Sequence, residues 1–308
     1  MNGGDEITYT LVITNTSNGC TATDFVDITA ANDLPIVAIA QPTVLTCTVL
    51  DAILNGAGSS AGAEFTYLWT TTDGQILGDE TTLTPQISAP GTYQLAVTNT
   101  VSVCTSYGSV VVTEDVAPPT GDAGASQTLT CAVTTLKLAA TASGSSQISF
   151  DWSTLTGSIV SGGNTATPTI STPGWYNVLI TNELNGCTTV DSVEVLADVN
   201  LPTAVIATPV KLTCTVKQAT LDATQGTSAG PNVTYTWTTS NGNFLTKNGV
   251  VATVNKPGDY QLLVKNTATG CSITANVTVI EDVQPPTAVA GSDITLTCTN
   301  PTSTLSGT

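Results

Sequence analysis

Eight cysteines are the most regularly spaced reactive side chains of this sequence: Cys20, Cys47, Cys104, Cys131, Cys187, Cys214, Cys271 and Cys298 alternate in gaps of 27 and 56 or 57 residues. Thiols in such a series either bind a metal or form disulfides. Zinc sites usually assemble close C-x-x-C or C/H pairs, whereas the nearest cysteines here are 27 apart and the chain contains no histidine. An even number of cysteines in a small repeated unit is the pattern of extracellular disulfide staples. The absence of histidine also removes the commonest general base. With no cysteine paired to a base and no glycine-rich phosphate loop, the sequence offers no catalytic residue and implies no enzyme.

The remaining polar candidates are sparse. Acidic residues recur at Asp33, Glu114 with Asp115, Asp198, and Glu281 with Asp282. Calcium is the functional reading, since it takes six to eight oxygen ligands. One or two carboxylates per position fall short of that number, so solvated linker charge is the preferred reading and no cofactor is expected. A lysine crosslink common to all repeats is excluded, because residues 35–118 contain no lysine. Trp175 precedes Tyr176 on an alternating strand and faces away from the core, where it is the one extra aromatic that could stack on a sugar.

Composition narrows the function classes further. Charged residues make up 9% of the 308 positions, with six lysines, no arginine and 23 acidic residues, for a formal net charge of -17. Ordinary domains carry about 25% charged residues. A surface this acidic repels polyanions, so nucleic acid is not an expected partner. No apolar run approaches the roughly 18 to 20 residues of a membrane helix, and Met1 to Asp5 do not begin a secretory signal. Apolar residues at 41% suffice for packed cores.

The cysteine series is one facet of an 83- or 84-residue repeat, also marked by Pro35, Pro119, Pro202 and Pro286. Each proline begins a segment that reaches an LTC cysteine twelve residues later. Seven residues beyond come Leu54, Leu138, Leu221 and Leu305. An aromatic pair follows in Tyr67 and Trp69, Phe150 and Trp152, and Tyr235 and Trp237, whose two-residue spacing puts both rings on one strand face. Pro-Gly turns at Pro90, Pro173 and Pro257 lead into the alternating strands of Tyr93, Tyr176 and Tyr260. Those tyrosines and Trp69, Trp152 and Trp237 are the expected core. Short alternating strands between turn signals, with no sustained helical period, predict an all-β sandwich.

The domains are therefore expected at 1–34, the C-terminal part of one repeat; 35–118, 119–201 and 202–285, three complete repeats; and 286–308, the start of another. The chain reads as a window on a longer array, with partial repeats at both ends that expose pairing edges.

Leu45-Thr46-Cys47-Thr48, the Y-x-W strands at Trp69 and Trp237, Pro257 to Tyr260 and Asn185-Gly186-Cys187-Thr188 give the chain a resemblance to a known group. It resembles the PKD-like and immunoglobulin-like tandem repeats of giant cell-surface adhesins of Bacteroidota, gliding-motility adhesins among them. The resemblance covers essentially the whole chain and implies head-to-tail sandwiches in an extracellular fibre. Trp69-Thr70-Thr71-Thr72-Asp73-Gly74 departs from the W-D-F-G-D-G common in PKD modules.

Strand order then bears on the cysteines. In antibody domains the second cysteine stands two residues after the tyrosine; here it stands eleven after, at the turn between the last two strands. The first cysteine lies ahead of the strand that carries Leu54. These are opposite poles of a sandwich, roughly 20 to 26 Å apart for strands of six to eight residues, while a disulfide needs Cα atoms about 4.4 to 6.8 Å apart. In a head-to-tail array the C-terminal pole of one repeat meets the N-terminal pole of the next. The expected bonds are Cys47–Cys187 and Cys131–Cys271, with Cys20, Cys104, Cys214 and Cys298 pairing outside the window. Closing such loops stabilises by about 5 kcal/mol in the chain-entropy model.

The expected function is a structural stalk or fibre segment whose partners are the neighbouring repeats, with lateral self-association into a filament also open. A carbohydrate- or surface-binding module is the alternative.

Overall fold

The computed structural model describes residues 6–29 and 34–307, and the fold is all-β, with no helix among the described residues. None is therefore long and apolar enough to cross a membrane. Three separate hydrophobic cores follow one another along the chain. The first is built around Leu54, Trp69, Ile87, Tyr93, Leu95 and Val97, the second around Leu138, Trp152, Ile170, Tyr176, Val178 and Ile180, and the third around Leu221, Trp237, Ala252, Tyr260, Leu262 and Val264.

Each core lies between two sheets of the same design. In the second unit, Ile148–Thr154, Gly174–Asn182 and Thr188–Asp198 run antiparallel, with Gln127–Thr130 added parallel to the last of them. The facing sheet joins Leu136–Lys137, Thr169–Ile170 and Ile159–Ser161. Alternation explains the packing: Tyr176, Val178 and Ile180 are fully buried while Trp175 and Leu179, on the other face of the strand, are exposed. Strand side chains alternate between faces, so one three-residue set fills the core and the other meets solvent.

In the second unit the leading segment changes sheets. Thr120–Asp122 pairs antiparallel with Thr141–Ser143, and Gln127–Thr130 then crosses to pair in parallel with the final strand, Gln127 opposite Val195 and Thr130 opposite Asp198. The same parallel contact is shorter in the flanking units, Leu45 opposite Glu114 and Leu212 opposite Glu281. It lays the leading segment and the final strand side by side, pointing the same way.

Two side-chain devices recur. Each core tryptophan donates its indole N–H to a loop carbonyl, Trp69 to Thr82 at 3.1 Å, Trp152 to Thr165 at 3.0 Å and Trp237 to Gly249 at 3.1 Å. Each core tyrosine clasps a turn. The Tyr176 hydroxyl donates to the Thr172 carbonyl at 2.7 Å and accepts the Ser158 N–H at 3.0 Å. Tyr93 does the same with Ala89 and Gln75, and Tyr260 with Lys256 and Asn243. A buried polar tip needs such partners.

Glu6–Thr14 and Thr21–Thr29 form a hairpin in which Tyr9, Leu11, Phe25 and Val26 are exposed. The described residues from Pro286 onward contain one isolated bridge, Thr297 with Asn300, and Leu305 there is exposed.

The tyrosine clasp yields a direct expectation. Tyr176→Phe leaves the Ser158 N–H and the Thr172 carbonyl without their buried partner, so the second unit should lose about 1–3 kcal/mol. Denaturant unfolding followed by tryptophan emission measures that loss.

Candidate functional site at the junctions

The structure places the sulfurs of Cys47 and Cys187 2.03 Å apart, with Cα atoms at 5.1 Å, and those of Cys131 and Cys271 1.97 Å apart, with Cα atoms at 4.9 Å. Both bonds span 140 residues. Cys47 follows the first core's Leu45, and Cys187 lies in the hairpin between the second core's Ile180 and Val193. Cys131 and Cys271 are related to the second and third cores in the same way.

A small turn presents each first cysteine. Thr46 N–H donates to the Val49 carbonyl at 2.9 Å, and the Thr46 hydroxyl accepts the Val49 N–H at 3.0 Å. Thr130 makes the same pair of bonds with Val133, and Thr213 with Val216. A threonine hydroxyl that closes a turn on its own backbone competes with strand continuation, so the leading segment ends at that residue and the cysteine sits on the turn's outer edge. Cys47, Cys131 and Cys214 are all exposed.

The second cysteine is set by a hairpin. Asn182 N–H donates to the Cys187 carbonyl at 2.9 Å and Gly186 N–H to the Asn182 carbonyl at 2.8 Å. Asn266 organises Gly270 and Cys271 in the same way. Against the neighbouring turn these cysteines are nearly sealed, Cys187 at 2% exposure and Cys271 at 1%.

Polar contacts surround each bond. Cys47 N–H donates to the Asn185 carbonyl at 3.1 Å, and Ala132 N–H to the Thr269 carbonyl at 3.0 Å. Asn185, 1% exposed, also donates its side-chain amide to the Asp115 carboxylate and to the Ala117 carbonyl, both at 3.0 Å. Its own oxygen accepts the Cys187 N–H at 2.9 Å. One buried amide thus ties the end of one unit to the hairpin of the next. Thr269, which is also buried, stands at the matching place in the second junction.

Glycine is demanded just before each bonded second cysteine. Gly186 and Gly270 have φ of 71° and 75°, a region that L side chains enter at a cost. A Cβ on Gly186 would also overlap the Thr48 methyl, and one on Gly270 would meet Ala132. The equivalent residue before Cys104 is Val103, which keeps the same turn at φ 58°.

The calcium candidates lie where the leading segment pairs with the end of its own unit. Glu114, Asp115, Glu281 and Asp282 are exposed residues of the short parallel strands, and Asp115 is engaged with Asn185. Asp33 lies outside the described residues. Among the described residues no three histidine, cysteine, aspartate or glutamate side chains come together. Trp175 is 54% exposed. Cys20, Cys214 and Cys298 are exposed and outside the two disulfides, Cys214 with its Sγ 3.7 Å from the Val283 carbonyl, while Cys104 is half-buried, its Sγ 3.6 Å from the Ser102 carbonyl.

The turn threonines, Asn185 and the two glycines are the functional residues that the cysteine spacing alone leaves unread. The LTC and N-G-C tripeptides hold the signal: threonine before one cysteine and glycine before the other.

No protein-family model matches the chain, and no curated protein does. Among solved structures it is similar to the three N-terminal domains of the bacteriophage RB49 Highly Immunogenic Outer Capsid protein, at 14% identity and TM-score 0.34, over 80% of this chain and 99% of that one. It is similar to the eight N-terminal Ig domains of Down Syndrome Cell Adhesion Molecule at 14% identity and TM-score 0.33, over 91% of this chain and 40% of the other. Drosophila N-cadherin EC1-4 aligns at 10% identity and TM-score 0.29, over 92% and 85% of the two chains. The strand order and cores described above make this chain a head-to-tail series of immunoglobulin-like sandwiches.

Gly186→Ala should disturb one junction and spare the other. Non-reducing peptide mapping is expected to recover less of the Cys47–Cys187 peptide than of the Cys131–Cys271 peptide, and Gly270→Ala should reverse that ratio.

Proposed function

We propose that the chain is a structural segment of a large extracellular fibre, a non-enzymatic stalk in which disulfides between consecutive repeats fix the junctions. The observation that carries this reading is the pair of bonds joining successive cores, each backed by a backbone hydrogen bond across the same turn. Disulfides of this kind belong to oxidising compartments, which supports an exported location. The resemblance to Bacteroidota surface adhesins gives the finer assignment, a gliding-motility adhesin type whose adhesive or anchoring domains are separate from these repeats. In such an array Cys214 and Cys298 bond to the second cysteines of later repeats, and Cys20 and Cys104 to the first cysteines of earlier ones. The principal partners are neighbouring repeats of the same chain, and lateral association of such stalks forms a filament.

A second reading rests on Trp175, whose exposed ring suits stacking on a sugar face. Trp175 has no counterpart in the other units, which carry Thr92 and Asp259 at the same place. A platform confined to one repeat favours scaffold over a repeated binding module.

Small-angle scattering separates rigid from jointed arrays. The oxidised chain should give the distance distribution of a long narrow rod, and reduction should broaden it; unchanged scattering would count against the disulfides as stiffeners. A glycan array should show no binding that depends on Trp175. Reproducible binding abolished by Trp175→Ala would favour the sugar-binding module instead.

A further inference from the structure

The disulfides do more than clamp junctions, because they reroute the covalent path along the array. Cys47 ends the leading segment that begins at Pro35, and its partner Cys187 opens the final strand of the next unit, which runs on into the leading segment ending at Cys214. A continuous covalent line therefore passes from residue 35 to 47, across to 187 and on to 214. The other bond makes a second line, from residue 104 to 131, across to 271 and on to 298. Each line uses a leading segment in one unit and a final strand in the next, and the two lines alternate.

We infer that these two lines are cords that carry tension, and that the sandwich bodies they bypass, residues 48–103, 132–186 and 215–270, hang outside its path. This inference rests on the stalk reading. The two cords touch within every unit through the parallel pairs Leu45 with Glu114, Gln127 with Val195 and Leu212 with Glu281. Parallel pairing is what two cords carrying the same pull require, since both run from the N-terminal to the C-terminal pole.

The mechanical consequence follows from length. Force accelerates unfolding only through the extension that unfolding releases. A strand already rises about 3.3 Å per residue, against a maximum of roughly 3.3–3.6 Å for a stretched chain. The cords contain strands and extended connections, with no helix to unwind, so unfolding a body adds almost nothing to their length. Tension along an oxidised array leaves the cores of Trp69, Trp152 and Trp237 without a mechanical incentive to open.

The test uses the full chain, with Cys20, Cys104 and Cys298 replaced by serine so that a DNA handle attaches at Cys214, the other handle being at the N-terminus. Pulled while oxidised, this chain has a covalent path of about 75 residues, and its extension should end near 250 Å without any step as long as a repeat. Adding reductant while the chain is held at a force that unfolds the reduced repeats should then release about 470 Å in separate steps of roughly 240 Å, one per unit, each a body with its share of the 104–131 connection. Separate steps mean that the bodies were still folded when the bond broke. A single immediate release of the whole length overturns the inference, because the bodies had already opened under load, and so do repeat-length steps in the oxidised chain. A Cys47→Ser, Cys187→Ser variant should give the repeat-length steps without reductant, and its failure to do so also overturns the inference. None of these outcomes decides the stalk reading, which stands or falls on the scattering of the unloaded rod.

Discussion

The two cysteines of each unit sit at opposite poles of its sandwich, and nearly everything else in the molecule follows from that separation. Neither can reach the other, because the strands between the poles are rigidly extended by their ladders. Cys47 and Cys131 find their partners in the next unit, delivered within the few ångströms that a disulfide tolerates. The parallel contact between the leading segment and the final strand meets this requirement. It pins the first cysteine to the exit end of its unit, as when Leu45 lies opposite Glu114, and so keeps the thiol beside the linker that leads to the next repeat.

The junction is polar where the cores are apolar, and the division is physical. A core tolerates exchange of one hydrophobe for another if volume is kept, whereas the junction depends on directional bonds. Asn185 satisfies three groups at once, the Asp115 carboxylate, the Ala117 carbonyl and the Cys187 N–H. A buried amide so engaged fixes the angle between units as well as their distance, because its donors and acceptor lie in one plane. Thr269, with a single hydroxyl, cannot reproduce that arrangement at the second junction. The two junctions share a disulfide and a turn but differ in the polar groups around them.

Much of the architecture was legible from period and alternation. The strict eleven residues from tyrosine to cysteine put the second thiol in a hairpin, and the structure places Cys187 and Cys271 there. The strand carrying Tyr176, Val178 and Ile180 could be assigned to the core from period two alone. The junction chemistry could not be read in this way. That Thr46 closes a turn, that Asn185 reaches Asp115 and that Gly186 lies against Thr48 are facts of contact between units, and local pattern does not report contacts between residues 70 or 140 apart. The acidic pairs show the complementary limit: Glu114 and Asp115 stand at the junction as their spacing suggests, yet one is a strand residue facing solvent and the other an acceptor for an amide.

The span of each bond also has a consequence for synthesis. When Cys47 leaves the ribosome its partner is 140 residues away, and Cys104 and Cys131 emerge first. A thiol that simply took the earliest available mate would be joined wrongly. What protects it is the folded sandwich, which holds Cys104 in the hairpin at the far pole and out of reach. Correct oxidation thus depends on folding, since each second cysteine meets its partner only from a completed hairpin.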